Sequence, residues 1–217
     1  MTENQLREDR LREDICFWAA SMFARGLTGG GSGNLSARTP DGGLLVTPTG
    51  ASFGRLDPAR LSKLDAAGAH VAGDRPTKEM PLHAAFYATR PGTGAVVHLH
   101  STHATALSML PDVDPDDAIP PLTPYLVMRV GRVALLPFFV PGEDAMADAV
   151  RALEGTRAAV LLAHHGPVVA GRDLQSAVFA MEELEETARL ALLLRGTGAG
   201  PLDADQIARV IARYGEG

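Results

Sequence analysis

Two histidines spaced two residues apart on an apolar run, in Val96-Val97-His98-Leu99-His100-Ser101-Thr102-His103, hold the most chemical potential in this sequence. Alternate side chains of an extended strand share a face, so His98 and His100 would project together, beside Val96 and Thr102. Paired imidazoles suit zinc and related first-row ions, and a third ligand from elsewhere would leave a position for water or substrate. That third ligand is sought in Ala163-His164-His165-Gly166, where a second apolar run ends in histidines before a glycine. The competing account is structural, since two buried imidazoles side by side need hydrogen-bond partners if they lack a metal. His70 and His103 read as structural.

One carboxylate stands out, in Thr77-Lys78-Glu79-Met80-Pro81-Leu82-His83. Close to a cation, Glu79 could be a fourth ligand or a general base. A plain first-turn glutamate favoured by the helix dipole is equally consistent with its position. A rival motif, Gly50-Ala51-Ser52-Phe53-Gly54, matches the G-x-S-x-G of hydrolases, but Pro48 before it and Asp57-Pro58 after it deny it the strand, sharp turn and long helix it needs. The run Thr28-Gly29-Gly30-Gly31-Ser32-Gly33-Asn34-Leu35-Ser36 fits neither a dinucleotide fingerprint nor a P-loop. Its glycines let the backbone approach a ligand closely, and it lies between a helix and a strand-like segment, where a mere linker has little to link.

The elements that must position these residues alternate in type. Leu6, Leu11, Ile15, Trp18, Ala19 and Met22 recur at helical spacing up to Arg25, with Gly26 as C-cap. Leu44-Leu45-Val46 predicts a strand, and Asp57-Pro58 with Leu61 and Leu64 a brief helix. Thr77 is the expected N-cap of the next helix, with Pro81 in its first turn and free N–H groups where a phosphate could sit. A helix over 104–110 and an acidic, proline-rich surface loop over 111–121 follow the histidine strand. Tyr125-Leu126-Val127-Met128 and Val133-Ala134-Leu135-Leu136 read as buried segments, and Pro141-Gly142-Glu143-Asp144 opens a helix closed by Gly155. The strand 158–163 precedes a hairpin partner at Val168-Val169-Ala170. Asp173 to Arg195 predicts a long helix with Glu182, Glu183, Glu185 and Glu186 on a solvated face, and Asp203 with Gln206 a capping box for a last helix. Helices flanking short strands make an α/β sandwich, three-layered if helices cover both faces.

At 217 residues, with 46% hydrophobic against 21% charged residues, the chain reads as one globular domain. Its net charge of -6 argues against a general nucleic-acid binder, although a small phosphorylated ligand needs only local N–H groups and a cation or two. Cys16 is the one cysteine, the stretch 1–14 is thick with charge, and no apolar run approaches the roughly 20 residues of a membrane span. The expectation is a cytoplasmic protein with neither nucleic-acid nor membrane partners.

Taken together, Gly31-Ser32-Gly33-Asn34-Leu35-Ser36, Val46-Thr47-Pro48-Thr49-Gly50, Thr77-Lys78-Glu79 with Leu82-His83, His98-Leu99-His100-Ser101 and His165-Gly166 resemble, in order, the class II aldolase and adducin superfamily. The resemblance implies a single domain over 1–217, an α/β/α sandwich with a mainly antiparallel central sheet. It implies that His98, His100 and His165 hold zinc, with manganese or cobalt as substitutes, and that Glu79 is the acid/base and also touches the metal in the resting enzyme. Asn34, Thr49, Gly50, Thr77 and Lys78 would surround a substrate phosphate, Lys78 strengthening the hold on a dianion. Tyr125 stands where the aldolases bring a catalytic tyrosine from a neighbouring subunit, which implies a homotetramer with sites at subunit interfaces. His164 departs from the asparagine of many members, and alignment through Gly166 favours His165 as the ligand. Val46 to Ser52, Thr77 to His83, Val97 to Ser108, Pro120-Pro121-Leu122-Thr123 and Phe179 to Ala188 are most similar to the 3-oxo-tetronate 4-phosphate decarboxylases of this superfamily. That similarity implies decarboxylation of a phosphorylated sugar acid to dihydroxyacetone phosphate. The alternatives are an aldolase or epimerase acting on a sugar phosphate such as L-fuculose 1-phosphate, and a non-catalytic interaction module like the adducin head.

Overall fold

The computed structural model describes residues 2–215 and 217. Helix α1 (Glu3–Ala24) is capped by the Thr2 hydroxyl and buries Ile15, Ala19 and Met22, which fall on one face at intervals of four and three. Eight strands follow: β1 (Asn34–Arg38), β2 (Leu44–Val46), β3 (Ser62–Leu64), β4 (His70–Ala72), β5 (Ala95–His98), β6 (Val133–Leu136), β7 (Ala159–Leu162) and β8 (Gly166–Gly171). They form one sheet in the order β4-β3-β2-β1-β5-β8-β7-β6, antiparallel except for the β6–β7 pair. The helices are α2 (Met80–Thr89), α3 (Thr102–Leu107), α4 (Pro124–Arg129), α5 (Asp144–Arg151), α6 (Leu174–Leu194) and α7 (Ala204–Tyr214).

The strands bury both faces, so their apolar runs divide by alternation into two cores. Leu35, Val97, Leu161 and Val169 pack with α1 and α6, whereas Val96, Val160, Leu162 and Val168 pack with α2 and α5. The result is the three-layer α/β/α sandwich with a mainly antiparallel sheet.

Several local expectations change. The brief helix beyond Asp57 is a 3-10 turn, Pro58–Arg60, and Leu64 belongs to β3, where it and Ser62 pair across from Leu44 and Val46. The 111–121 segment is irregular, but not all surface: Ala118 and Ile119 enter the core, and the Ala118 N–H donates to the Val133 carbonyl at 2.7 Å. The 125–128 stretch is a helix that buries Leu126 and Val127 and exposes Tyr125. On α6 the acidic run is not simply solvated. Glu182 pairs with Arg25, Glu183 accepts from Thr123, and Glu185 accepts from the His103 and Ala104 N–H groups at 2.8 and 2.9 Å. Glu185 thereby caps α3, using the affinity of a helix N-terminus for negative charge.

Candidate metal centre

The site grows from the pairing of β1 with β5. Their register sets Asn34 opposite His98 and Ser36 opposite Val96, so these four side chains share the sheet face that α2 covers. The strand ends at His98 rather than continuing to Thr102, which instead lies in α3. His100 is nevertheless brought beside His98, their ring centroids 5.0 Å apart.

The third histidine arrives on the β7–β8 turn. Gly166 has φ +148°, and a Cβ there would lie 2.2 Å from the Leu99 carbonyl oxygen, so only glycine lets the turn press against Leu99 and His100. His164 takes the left-handed conformation at φ +59°, donates its N–H to Ser108 Oγ at 3.0 Å, and is exposed and absent from the cluster of ligand atoms. Of the two adjacent histidines it is His165 whose ring joins the cluster.

Glu79 enters from the start of α2. Thr77 is not the N-cap: that position is taken by Glu79 itself, and Thr77 Oγ1 accepts the Glu79 N–H at 3.3 Å, closing a turn just ahead of the helix. Pro81 does sit in the first turn. The carboxylate is 4% exposed and receives Asn34 Nδ2 on Oε2 at 2.6 Å.

Glu79, His98, His100 and His165 offer ligand atoms that all lie within 4.8 Å of one another. His165 Nε2 is 3.3 Å from His98 Nε2 and 3.1 Å from His100 Nε2, and Glu79 Oε1 is 3.5 Å from His165 Nε2. A tetrahedral ion with bonds of about 2.0–2.1 Å to nitrogen holds its ligand nitrogens roughly 3.3–3.4 Å apart, close to these separations. The donor chemistry fits as well. His98 Nδ1 lies 2.9 Å from the Pro167 carbonyl, which can only accept, so the proton is on Nδ1 and the Nε2 lone pair faces the cluster. Glu79 Oε1 is buried with no hydrogen-bond partner, an acceptor left over for a cation.

Burial disfavours charge on the histidines. It pushes His98 down to about 3, and lowers His100 and His165, each imidazole or the nearby Lys78 adding repulsion. Burial alone would raise the Glu79 carboxyl, but His98 and the Asn34 hydrogen bond outweigh it and hold it below the usual carboxylate range. Near neutrality the cluster therefore presents three neutral imidazoles and one carboxylate, the protonation states a divalent metal requires.

The residues expected around a phosphate lie on adjoining segments. Gly31 packs so tightly on Gly50 that a Cβ would come within 2.9 Å of the Gly50 carbonyl oxygen, and the Thr77 N–H donates to the Thr47 carbonyl at 3.3 Å. The glycine-rich loop, the 47–50 turn and the approach to α2 thus meet beside Glu79. Thr49, Gly50 and Lys78 are exposed there, while Thr77 and Asn34 are buried. Tyr125 is not brought to the cluster: it is 53% exposed on α4, 5.8 Å from the Arg129 guanidinium.

Sequence reasoning quoted Ser36 and His83 within motifs but gave no role to them or to Tyr87, and all three line up behind Glu79. Their signal is a double period: Glu79, His83 and Tyr87 recur every four residues, a helical row, and Asn34 and Ser36 every two, a strand row.

Comparison with known proteins agrees with this architecture. Residues 13–192 match the family model of the class II aldolase and adducin N-terminal domain. The 3-oxo-tetronate 4-phosphate decarboxylase of Escherichia coli K12 is 49% identical over 203 residues, 94% of this chain and 96% of that protein. The L-fuculose phosphate aldolase of the same organism is 32% identical over 213 residues, 96% of each. The crystal structure of YgbL from Escherichia coli superposes with a TM-score of 0.91 at 48% identity, covering 94% of this chain and 98% of that one.

Proposed function

The chain belongs to the class II aldolase and adducin family, and on that premise we propose that it decarboxylates a 3-oxo-tetronate 4-phosphate to dihydroxyacetone phosphate and carbon dioxide. The observation that carries the reading is the intact Glu79, His98, His100 and His165 cluster in a chain so close to proteins of that name. An adducin-like scaffold would have no need to keep four converging ligands with matched protonation states.

The three histidines and Glu79 would hold the metal, and the nitrogen-rich, four-ligand set suits zinc, with manganese or cobalt as substitutes. A bound dication supplies positive charge where the substrate's ketone and hydroxyl oxygens become negative. Lys78, Thr77, Thr49 and Gly50 bind the phosphate, Lys78 as its counter-charge. Asn34 has a second amide hydrogen to offer the substrate beyond the one given to Glu79. Loss of carbon dioxide breaks the C1–C2 bond and leaves its electron pair in an enediolate across C2 and C3. Glu79 carries a proton, drawn from the substrate hydroxyl or from solvent, to C2, which completes dihydroxyacetone phosphate. Tyr125, remote from its own cluster, would act in a neighbouring subunit of a homotetramer. Among the described residues no helix is long and apolar enough to cross a membrane, which is consistent with a cytoplasmic enzyme.

A second reading, cleavage of a sugar phosphate such as L-fuculose 1-phosphate, is favoured by the likeness to the aldolase and passes through the same enediolate. The zinc-loaded protein is therefore given each substrate separately while carbon dioxide and aldehyde are followed. Carbon dioxide from the tetronate supports the proposal; aldehyde release without decarboxylation overturns it.

A further inference from the structure

Behind Glu79 lies a buried chain of polar side chains with one sense of direction. Asn34 Nδ2 is 2.6 Å from Glu79 Oε2, Asn34 Oδ1 is 2.5 Å from His83 Nε2, His83 Nδ1 is 2.7 Å from Ser36 Oγ, and Ser36 Oγ is 2.9 Å from the Tyr87 hydroxyl. His83 and Ser36 are fully buried, and Asn34 and Tyr87 nearly so.

One end determines the rest. An ionised carboxylate can only accept, so the Asn34 amide turns its NH2 to Glu79 and its carbonyl to His83. That carbonyl also only accepts, so His83 carries its hydrogen on Nε2. Nδ1 must then accept from the Ser36 hydroxyl, and Ser36, having donated, accepts from Tyr87. Every donor points toward Glu79, the arrangement in which successive hydrogen bonds reinforce one another. Burial, which pulls His83 down to about 4, keeps it the neutral imidazole this ordering needs.

We infer that His83, acting through Asn34, is a positioning residue that locks Glu79 Oε2 and so keeps the opposite oxygen, Oε1, turned into the cluster, where it serves the cation in the resting site and exchanges a proton with the substrate once substrate oxygens have entered. This rests on the acid/base role proposed above for Glu79. Without the His83 donor the Asn34 amide is free to rotate, and the carboxylate loses the contact that decides which oxygen faces the site. Partners that hold a ligand or acid/base group in place through a hydrogen bond typically govern 10- to 100-fold of activity.

The test uses the zinc-loaded protein and dihydroxyacetone phosphate in deuterated water, reading exchange of the C–H proton that an enediolate-forming base removes, whichever leaving group the enzyme serves. His83→Leu should lower the exchange rate constant about 10- to 100-fold with KM and bound zinc little changed, while the loss of its two buried hydrogen bonds lowers the melting temperature by several degrees and leaves the protein folded at the assay temperature. His83→Gln, whose amide nitrogen can replace Nε2 as donor, should return to within about fivefold of wild type, whereas the shorter amide of His83→Asn should not. If His83→Leu does not fold, the last two variants carry the comparison, and equal rates for them overturn the inference. So does a His83→Leu variant that exchanges like wild type, or one whose loss merely follows lost zinc and stability. A readout free of turnover is the nitrogen-15 spectrum of histidine-labelled protein, where His83 must show a protonated Nε2 and an unprotonated Nδ1; the reverse tautomer overturns the relay. Wild type that neither exchanges nor decarboxylates defeats the proposed function, and the tautomer then decides the relay on its own.

Discussion

Replacing Glu79 with glutamine should move activity and stability in opposite directions. In the metal-free protein Oε1 is buried without a hydrogen-bond partner, 3.5 Å from the His165 Nε2. An unsatisfied buried acceptor costs about 1–3 kcal/mol, more when charged. The amide of Glu79→Gln keeps an oxygen for the Asn34 NH2 and turns a donor toward the imidazole lone pair, so both ends are satisfied. At roughly 2–4 °C per kcal/mol for a chain of this length, the metal-free melting temperature should rise by about 2–12 °C. Three histidines remain, so zinc is still bound, though less tightly. Turnover loses its proton carrier, which general acid–base catalysis values at about 10²- to 10⁴-fold, or roughly 3–5 kcal/mol of barrier. Calorimetry of chelator-treated protein, elemental analysis after zinc loading and carbon dioxide release from 3-oxo-tetronate 4-phosphate measure the three effects. Full activity in this variant would refute the proton-transfer role, and a lower metal-free melting temperature would refute the unsatisfied-acceptor argument.

His100→Ala should abolish zinc retention and turnover together, because it removes one of three nitrogen ligands; elemental analysis beside the decarboxylation assay checks this. Gly166→Ala forces a Cβ to within 2.2 Å of the Leu99 carbonyl at a φ that side chains avoid. Strain of that kind costs about 1–3 kcal/mol, so a melting temperature lower by several degrees and weaker zinc binding are expected, from thermal melts and zinc titration. Metal-free stability should fall on acidification. Burial, opposed by the Glu79 charge, holds His83 near 4 in the folded chain, while the unfolded chain takes up that proton near 6.5. The contribution is thus present above 6.5 and lost as pH drops toward 4, at a slope approaching 1.4 kcal/mol per pH unit for each such histidine. Denaturant melts of chelated protein at pH 7, 6 and 5 measure it, and a flat profile would contradict the buried, neutral assignment.

The layered fold was legible because its signals are periodic. The spacing of Ile15, Ala19 and Met22 and the apolar run before His165 each announce one element, and short strands among helices leave few other ways to bury them. The histidine pair was legible for a related reason: the strand stops at His98, but the Leu99 N–H still bonds the Pro167 carbonyl of β8, and the His98 and His100 rings meet 5.0 Å apart as the two-residue period predicts. What escaped depends on pairing between distant segments. Nothing local says that Ser36 and His83 meet, since that follows from the β1–β5 register and the seating of α2 over it. Likewise Ala118 and Ile119 sit in an acidic, proline-rich stretch whose composition speaks for the surface, and it is hydrogen bonding to β6, Ala118 to Val133 and Leu135 to Pro115, that draws them inward. The glutamates of α6 look like a solvated stripe until Arg25, Thr123 and the start of α3 are folded against them.

The cluster explains why aldolase and decarboxylase relatives share so much of this chain. Both reactions break a bond to the same carbon and leave the same enediolate, so a cage selected to stabilise that charge is indifferent to whether carbon dioxide or an aldehyde departs. His83, Ser36 and Tyr87 are buried behind Asn34 and Glu79, where they can orient the proton carrier but cannot touch a leaving group. Discrimination must therefore arise at the opposite, open side, around exposed His100 and Lys78. A departing carboxylate is anionic until its bond breaks, so Lys78, besides countering the phosphate, also steadies the bound acid through space, whereas a neutral aldehyde gains little from it. Lys78→Ser should accordingly depress tetronate binding more than it depresses binding of dihydroxyacetone phosphate, which shares the phosphate but lacks the carboxylate. Equal losses for the two ligands would assign Lys78 to the phosphate alone.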